Sequence, residues 1–287
     1  MNHLASPHLI DDGSPARRSD TARCSICAVK TMCVPRNVDK GTLGSLEKLI
    51  NSARSLRRGQ YVYGSDHEAR YLFAVRSGAV KTVARTRDGR EQIVGVHRPG
   101  DALGLDGLAT GKHAFDAVAL HDTTVCLIPY SQLRQMCNET PAIQQRIFEI
   151  MGRQLVQVTN GRLNASLQSV EARVVGFFID LAENNAMRGF SSREFTMYMT
   201  RAEAGNYLGT TLETVSRVIS ALSRDGIIEA HGKRIRVLDP ERLQARLVSH
   251  ATKPEHVPLH AAKPEHVAAD ADRVEETALD DEVCESV

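Results

Sequence analysis

The sequence predicts an α+β protein: an N-terminal antiparallel β-roll, a long connecting helix, and two short C-terminal helices followed by a hairpin. Short β-favouring runs alternate with glycines from about residue 53 to residue 137, which is typical of a small antiparallel roll. Apolar residues then recur every three or four positions from Ile143 to Val158. This spacing indicates a long amphipathic helix.

Six strands are predicted in the roll, and turn signals separate them. Asp88-Gly89 favours a hairpin turn, and Pro99-Gly100 favours another. A short helical pattern at 42–51 precedes the roll. The predicted strands are Gln60–Tyr63, Tyr71–Arg76, Ala79–Arg85, Gln92–Val96, Asp116–Leu120 and Thr123–Ile128.

Length and composition narrow the class of protein. The 287 residues are 42% hydrophobic and 25% charged, as in ordinary globular proteins. No apolar run approaches the roughly 18 residues of a membrane helix, so we expect a cytoplasmic protein. No nucleophile–base pair or phosphate loop is recognisable, and we therefore expect a protein that is not an enzyme.

Charge is distributed unevenly along the chain. The net charge of +1 combines −7 on residues 249–287, from three basic and ten acidic residues, with +8 on residues 1–248. A basic body is compatible with a nucleic-acid partner. The pentapeptide KPEHV occurs at 253–257 and again at 263–267, and such low-complexity sequence predicts a disordered tail.

These changes in pattern predict five consecutive parts of the chain. They are a flexible arm at 1–22, a cysteine loop and β-roll at 23–139, the long helix at 140–164, a helix-turn-helix domain at 165–248 and the acidic tail at 249–287.

The long helix is predicted to begin with Thr140 as its cap and Pro141 at its first position. Its apolar seam could pack against its own domain. Because the seam is narrow and the helix bridges two domains, a coiled-coil-like contact between two copies of the chain is favoured. The predicted dimer-interface residues are Ile143, Ile147, Ile150, Met151, Leu155 and Val158.

The segment from Thr200 to Leu222 predicts two short helices joined by a sharp turn. Thr200 and Glu203 have the spacing of a capping box that opens the first helix. Gly209 provides a permissive residue at the turn, and Thr211 can cap the second helix.

One exposed face of that second helix has the residues of a DNA reader. Glu213, Ser216 and Arg217 stand at i, i+3 and i+4 near its N-terminus, where a recognition helix contacts base edges. Arginine can bind guanine, and glutamate can accept a hydrogen bond from cytosine. The following hairpin adds Lys233, Arg234 and Arg236 as predicted phosphate contacts; a solvated helix with an i,i+4 ion pair is the alternative.

This region resembles the recognition region of the CRP/FNR superfamily of bacterial transcription regulators. The Glu-x-x-Ser-Arg pattern at 213–217 is similar to that of the FNR branch, and the resemblance extends over roughly residues 24–240. It implies a cyclic-nucleotide-binding-like jelly roll, a winged helix-turn-helix, a homodimer and an operator made of inverted TTGAT half-sites. It also implies that roll loops contact RNA polymerase. Ala204 departs from the family's larger aliphatic residue.

Three cysteines near the N-terminus suggest a metal or redox site. Cys24, Cys27 and Cys33 have the spacing C-x2-C-x5-C, and Cys126 is the candidate fourth ligand. Zinc, an iron–sulfur cluster and free redox thiols are the alternatives. Spacing leaves zinc and an iron–sulfur cluster open.

The family resemblance favours the cluster. FNR-type oxygen sensors bind a [4Fe–4S] cluster through a pattern that Cys24, Cys27, Cys33 and Cys126 match, which implies an anaerobic activator that loses its dimer and its DNA when oxygen degrades the cluster. A thiol- or zinc-based redox switch on the same fold is the alternative function. Nearby cations would offset the charge of a thiolate-bound cluster; they are Arg23, Lys30 and Arg36.

Two cysteines lie outside the four-ligand pattern, and one stretch of the roll lacks the residues that bind a cyclic phosphate in related proteins. Cys137 and Cys284 have no counterpart among the four ligands. The stretch from Gly104 to Asp116 lacks the Gly-Glu turn and the Arg-Ser pair that clamp a cyclic phosphate in nucleotide-sensing members of the superfamily. We therefore expect no cyclic nucleotide.

Overall fold

The computed structural model describes residues 18–19, 23–50 and 52–249. Apart from residues 18–19, the predicted arm at 1–22 lies outside the described residues. So does the predicted tail beyond residue 249, which includes Cys284. Among the described residues, no helix is long and apolar enough to cross a membrane.

The roll consists of two antiparallel sheets, ordered β1-β2-β9-β4-β7 and β3-β8-β5-β6 within the described chain. Side chains of both sheets, such as Phe73, Val80 and Val125, share one buried core. The strands are β1 Arg18–Ser19, β2 Ser52–Leu56, β3 Tyr61–Tyr63, β4 Tyr71–Ser77, β5 Val80–Arg85, β6 Glu91–His97, β7 Ala102–Leu103, β8 Asp116–Ala119 and β9 Thr123–Pro129.

All six predicted strands are present, with ends displaced by one residue at most. The sequence pattern does not predict β2 and β7. Strand β2 reads Ser-Ala-Arg-Ser-Leu and lacks the run of β-branched residues that marks a strand. Only its Ala53 and Leu56 are buried. Strand β7 has two residues. Pairing with neighbouring strands, rather than local propensity, forms both.

Three helices belong to the N-terminal half: α1 Lys40–Leu49, α2 Tyr130–Glu139 and α3 Pro141–Leu167. Asp39 caps α1 through the N–H groups of Gly41 and Thr42, so this helix begins before the predicted pattern at 42. Helix α3 begins at Pro141, as predicted. Thr140 separates α2 from α3 with an extended backbone (φ −136°, ψ 93°), because a residue before proline disfavours the helical conformation.

The apolar seam of α3 divides into a buried part and an exposed part. Ile143, Ile147 and Ile150 are buried in a cluster with α1 and with the first sheet of the roll. Their own domain already covers these three, so a dimer contact through them stays a prediction. Further along the helix, the other seam residues are exposed; these are Met151, Leu155 and Val158.

The C-terminal domain is a winged helix-turn-helix whose apolar core also includes roll residues such as Val83 and Ile93. Ser169 caps the first helix of this domain by accepting from the Ala172 N–H. The sequence pattern predicts neither the strand Glu194–Thr196 nor the helix Pro240–Ser249. The elements are α4 Val170–Met187, β10 Glu194–Thr196, α5 Arg201–Leu208, α6 Leu212–Arg224, β11 Ile228–His231, β12 Arg234–Val237 and α7 Pro240–Ser249, with the sheet ordered β10-β12-β11.

The turn between β4 and β5 should tolerate a side chain at Gly78 far less than the β5–β6 turn does at Gly89. Both glycines have positive φ, 80° and 83°, so alanine at either costs about 1–2 kcal/mol of backbone strain. A Cβ on Gly78 would also lie 2.4 Å from Thr123 Oγ1, whereas nothing lies within 4 Å at Gly89. Urea unfolding should show the larger loss of stability for Gly78→Ala. Equal losses would contradict the close contact with Thr123.

Candidate DNA-binding face and thiol site

Helix α5 begins with the predicted capping box. The Thr200 hydroxyl accepts a hydrogen bond from the Glu203 N–H (3.1 Å), and the Glu203 carboxylate accepts one from the Thr200 N–H (2.9 Å). The helix ends at Gly209, whose φ of 66° is left-handed, as helix C-termini commonly require. Two local signals thus define both ends of α5.

Helix α6 follows after one turn and buries the face that the sequence predicts. The Thr211 hydroxyl caps it by accepting from the Thr214 N–H (3.3 Å), in agreement with the prediction. The inward residues are Val215, Val218, Ile219 and Leu222, all buried.

The opposite face of α6 presents the predicted reading residues to solvent. Glu213 and Arg217 are exposed, and Ser216 is half-buried beside the Arg201 guanidinium. Hydrogen bonds from its own N–H and from Thr211, together with the charge of Arg217, hold the pKa of Glu213 below its ordinary value. Arg217 donates to the Thr214 hydroxyl (3.1 Å), a neutral partner that it can exchange for a base.

The wing cations differ from one another in their surroundings. Arg234 is exposed and pairs with Glu194 on the neighbouring strand (2.7 Å), and Arg236 pairs with Glu229 (3.6 Å). Lys233, predicted as a phosphate contact, instead donates to the Tyr198 carbonyl (3.3 Å). Burial and the nearby Arg58 lower the pKa of its ammonium group. Arg234 is thus better placed than Lys233 to meet a phosphate.

Contacts that no local sequence pattern predicts join helix α5 to the roll. Glu203 forms ion pairs with Lys81 on β5 (3.0 Å) and with Arg58 (3.8 Å). The Asn206 side chain accepts from the Ile93 N–H (2.6 Å) and donates to the Glu91 carbonyl (2.8 Å). The first helix of the helix-turn-helix is therefore held directly by the roll.

The four predicted ligand thiols come from one loop and one strand. A series of tight turns forms the loop from Cys24 to Cys33, with Cys27 N–H bonded to the Cys24 carbonyl and Cys33 N–H to the Val29 carbonyl. Cys126 lies on β9, directly opposite Ala53 of β2 and Ala74 of β4. Directly opposed residues share one face of a sheet, so small side chains flank the Cys126 thiol.

These thiols lie within electrostatic reach of one another. Burial raises the pKa of Cys24 to about 12 and that of Cys126 to about 11, and the other thiols add to both shifts. Burial also raises the pKa of Cys33 to about 12, with further contributions from Cys126, Cys24 and Cys27. Burial alone raises the pKa of Cys137, which separates it from this set of four.

The four thiols do not form a finished metal site. Within residues 23–50 and 52–249, no three Cys, His, Asp or Glu side chains are grouped closely enough to hold one metal ion. A single ion needs all its ligands at bonding distance from one point, whereas a multi-iron cluster takes one thiolate on each iron. Four cysteine thiols are donors that either a zinc ion or an iron–sulfur cluster accepts.

A carboxylate and a stacked pair of rings occupy the stretch where a nucleotide-sensing roll would hold a phosphate. Asp106 accepts a hydrogen bond from the Ala114 N–H (2.9 Å) and lies 3.4 Å from the buried His113 ring. The His113 and Tyr63 rings stack with centroids 3.6 Å apart. A negative group here would repel a phosphate.

Two family models match the chain. One, described as a cyclic nucleotide-binding domain, matches residues 53–140, and the other, described as a Crp-like helix-turn-helix domain, matches residues 172–246. Together the two matches span more than half of the chain.

Known proteins are similar to two thirds or more of the chain. Electron transport regulator A of Shewanella oneidensis is 35% identical over 231 residues, which are 79% of this chain and 92% of that protein. The fumarate and nitrate reduction regulatory protein of Escherichia coli K12 is 33% identical over 246 residues, 84% of this chain and 98% of that protein. The solved structure of FixK2 from Bradyrhizobium japonicum aligns with a TM-score of 0.62 at 30% identity, covering 67% of this chain and 95% of that one.

Replacing Glu203 by glutamine should weaken the contact between α5 and the roll in a pH-dependent way. Burial raises the pKa of Glu203, but hydrogen bonds from Thr200 and Lys81 and the Lys81 charge outweigh it and leave the pKa below its ordinary value. A depressed pKa in the folded state means that the stabilisation is present at pH 7 and is lost as the pH falls below about 4.

The Glu203→Gln protein should therefore be about 1 kcal/mol less stable at pH 7, and this deficit should be smaller near pH 3, as measured by urea unfolding at both pH values. Glu229→Gln, at an exposed wing pair, is the matched control and should leave stability nearly unchanged at both pH values. A loss that is the same at both pH values would show that the charge of Glu203 is not responsible.

Proposed function

The chain belongs to the CRP/FNR family of transcription regulators, and we propose that it is an oxygen-responsive regulator that binds an inverted-repeat operator as a homodimer. Members of this family are DNA-binding proteins and not enzymes. The observation that carries the proposal is the capped α6 helix, which presents Glu213, Ser216 and Arg217 on one exposed face.

We propose that these residues read a TTGAT-type half-site. The Arg217 guanidinium would donate two hydrogen bonds to the guanine, Glu213 would accept one from the paired cytosine, and Ser216 would contact a thymine. Thr211, at the N-terminus of α6, and Arg234, on the wing, would contact phosphates and fix the register. Lys233 would join them only after leaving the Tyr198 carbonyl.

Helix α3 supplies the surface for a dimer. Met151, Leu155 and Val158 are exposed on it, and Phe148, one turn earlier, is exposed as well. Pairing these residues between two copies would bury them and place two recognition helices about one DNA turn apart. The gain from binding both half-sites at once would then depend on the dimer.

We propose that Cys24, Cys27, Cys33 and Cys126 hold a [4Fe–4S] cluster, the cofactor that takes four such thiolates. When bound, the cluster would supply oxygen-labile iron–sulfur links between the loop and the roll. The chain's own contribution is to present Cys126 on a rigid central strand, so that ligation draws the loop from Cys24 to Cys33 onto β9. Arg76, whose charge opposes the pKa rise of Cys24 and Cys126, would favour the thiolate forms.

A zinc or free-thiol switch that uses the same cysteines is the alternative. Zinc and an iron–sulfur cluster both bind cysteine thiolates, and it is the family resemblance that favours the cluster. The absorption spectrum and iron content of anaerobically purified protein distinguish these alternatives.

The family resemblance has two further implications about partners. We propose that roll loops contact RNA polymerase at the promoter. We also propose that the roll takes no cyclic nucleotide, a proposal that the Asp106 carboxylate supports because it occupies the stretch where a phosphate-binding cation would be needed.

Removing the guanidinium of Arg217 should reduce sequence discrimination. We expect Arg217→Ala to cost about 1–3 kcal/mol per half-site and to relax the preference at the G·C pair. Glu213→Ala should lose less affinity but more discrimination, since a carboxylate near DNA opposes binding unless its cytosine is present. Arg234→Ala, the control, should weaken all sequences alike and flatten the salt dependence.

Competition binding against operators altered only at the G·C pair measures these effects. If Arg217→Ala weakens every operator equally, Arg217 contacts a phosphate and the reading-face assignment is wrong.

Serine at any one of the four proposed ligands should abolish the cluster. Cys24→Ser, Cys27→Ser, Cys33→Ser and Cys126→Ser should each lose iron, sulfide and visible absorbance in anaerobically purified protein. Anaerobic operator affinity should fall by about 100-fold or more, because the gain from linking two half-site contacts is lost. Cys137→Ser and Cys284→Ser are the matched controls and should retain both properties. A Cys126→Ser protein with full iron and sulfide would refute the ligand assignment.

A further inference from the structure

Arg146 is a buried cation on the first half of α3, and its side chain is only 3% exposed. Its guanidinium donates to the Met32 carbonyl (2.8 Å) and to the Cys33 carbonyl (3.0 Å and 3.3 Å). A fourth hydrogen bond goes to the Glu149 carboxylate on the same helix (2.8 Å). The side chain thus connects the end of the cysteine loop to the helix.

The contact is one that the helix cannot easily lose. A buried guanidinium is tolerated only when its charge is paired and its donors are satisfied. The only carboxylate that bonds it here, among the described residues, is the half-exposed Glu149. Burial, followed by the like charge of Arg36, lowers the pKa of Arg146. The two loop carbonyls therefore supply the larger part of what satisfies this cation.

The loop segment at Met32 is enclosed on its other side as well. The turn at Gly100 lies so close that a Cβ there would be 2.9 Å from the Met32 Cβ. Beyond Arg146, the Gln154 side chain of α3 donates to the Ala102 carbonyl of β7 (2.8 Å). The end of the loop is therefore held between α3 and the turn that precedes β7.

We propose that Arg146 is a positioning residue that couples the conformation of the cysteine loop to the dimer-forming half of α3. If the loop moves away, the guanidinium loses two carbonyl partners and must follow the loop or turn toward water. Either movement alters the helix at Ile143 and Ile147, which pack on the roll on either side of it. The next positions along α3 are the exposed Phe148 and Met151 of the proposed dimer surface.

Coupling of this kind is reciprocal. A loop held in place by ligated cysteines would favour one position of α3, and dimerisation through α3 would favour the ordered loop. The inference rests on the proposed function, because it presumes that the loop changes with ligation and that α3 pairs.

The test uses the full chain with Arg146→Met, which keeps an unbranched apolar stem and removes the donors. Arg153→Met is the matched control: Arg153 lies two turns along the same helix, pairs with the same Glu149 and contacts no loop carbonyl among the described residues. Hydrogen exchange of the metal-free proteins should be at least about tenfold faster over residues 29–36 for Arg146→Met, since a hydrogen bond to a charged group is lost. Arg153→Met should exchange at the wild-type rate.

The second measurement is the dimer dissociation constant by sedimentation equilibrium, in anaerobic iron- and sulfide-reconstituted protein and after exposure to air. We expect Arg146→Met to reduce the ratio of the two constants to within about threefold of one, while Arg153→Met keeps the wild-type ratio. A merely structural residue would weaken both states equally and preserve the ratio, which would overturn the proposal.

Two further outcomes remain interpretable. If Arg146→Met does not fold, Arg146→Lys serves instead, because it keeps the charge but not the planar fork of donors. It should give an intermediate exchange rate over residues 29–36 and an intermediate ratio of the two dissociation constants. Wild-type values of both would refute the proposal. If the wild-type ratio itself is one, the proposed oxygen response fails, and the exchange rates still decide whether Arg146 holds the loop.

Discussion

The packing of α3 on the roll is the contact on which the other functional surfaces depend. Ile143, Ile147 and Ile150 anchor the first half of this 27-residue helix in the same core as α1 and the first sheet. The second half of the helix leaves that core with Leu155 and Val158 exposed. Because a packed helix moves as a rigid element rather than bending freely, any shift at the anchored end changes where the exposed end meets a second copy.

Charged and polar contacts add to the apolar packing at the junctions between the parts of this chain. Arg146 joins α3 to the cysteine loop, Lys81 joins β5 to α5, and the buried Arg188 joins the end of α4 to the Pro99 carbonyl and to Asp101. Buried ion pairs add little net stability but strongly penalise a missing partner. These contacts add specificity to junctions that apolar packing also forms, since residues of β5 and β6 share one buried cluster with residues of α4 and α6.

Local rules predicted the helix-turn-helix almost completely. The Thr200–Glu203 capping box, Gly209 and the Thr211 cap each act within a few residues, and the inward spacing of Val215 to Leu222 is a property of one helix. Strands β2 and β10 and helix α2 were missed for the opposite reason. Their short or polar sequences become regular only beside partners that lie far away in the chain, as Ala53 does opposite Cys126.

The sequence by itself therefore determined six strands of the roll, the capped helices, the candidate reading residues and the four candidate thiols, because these depend on short-range spacing and residue chemistry. The tertiary structure alone decided that half of the α3 seam is buried, that Lys233 turns toward Tyr198 and that Arg146 holds the loop. Arg146 and Cys33 are 113 positions apart, and Lys81 and Glu203 are 122 apart. Periodicity carries no information about which distant residues meet, because that depends on how whole elements pack.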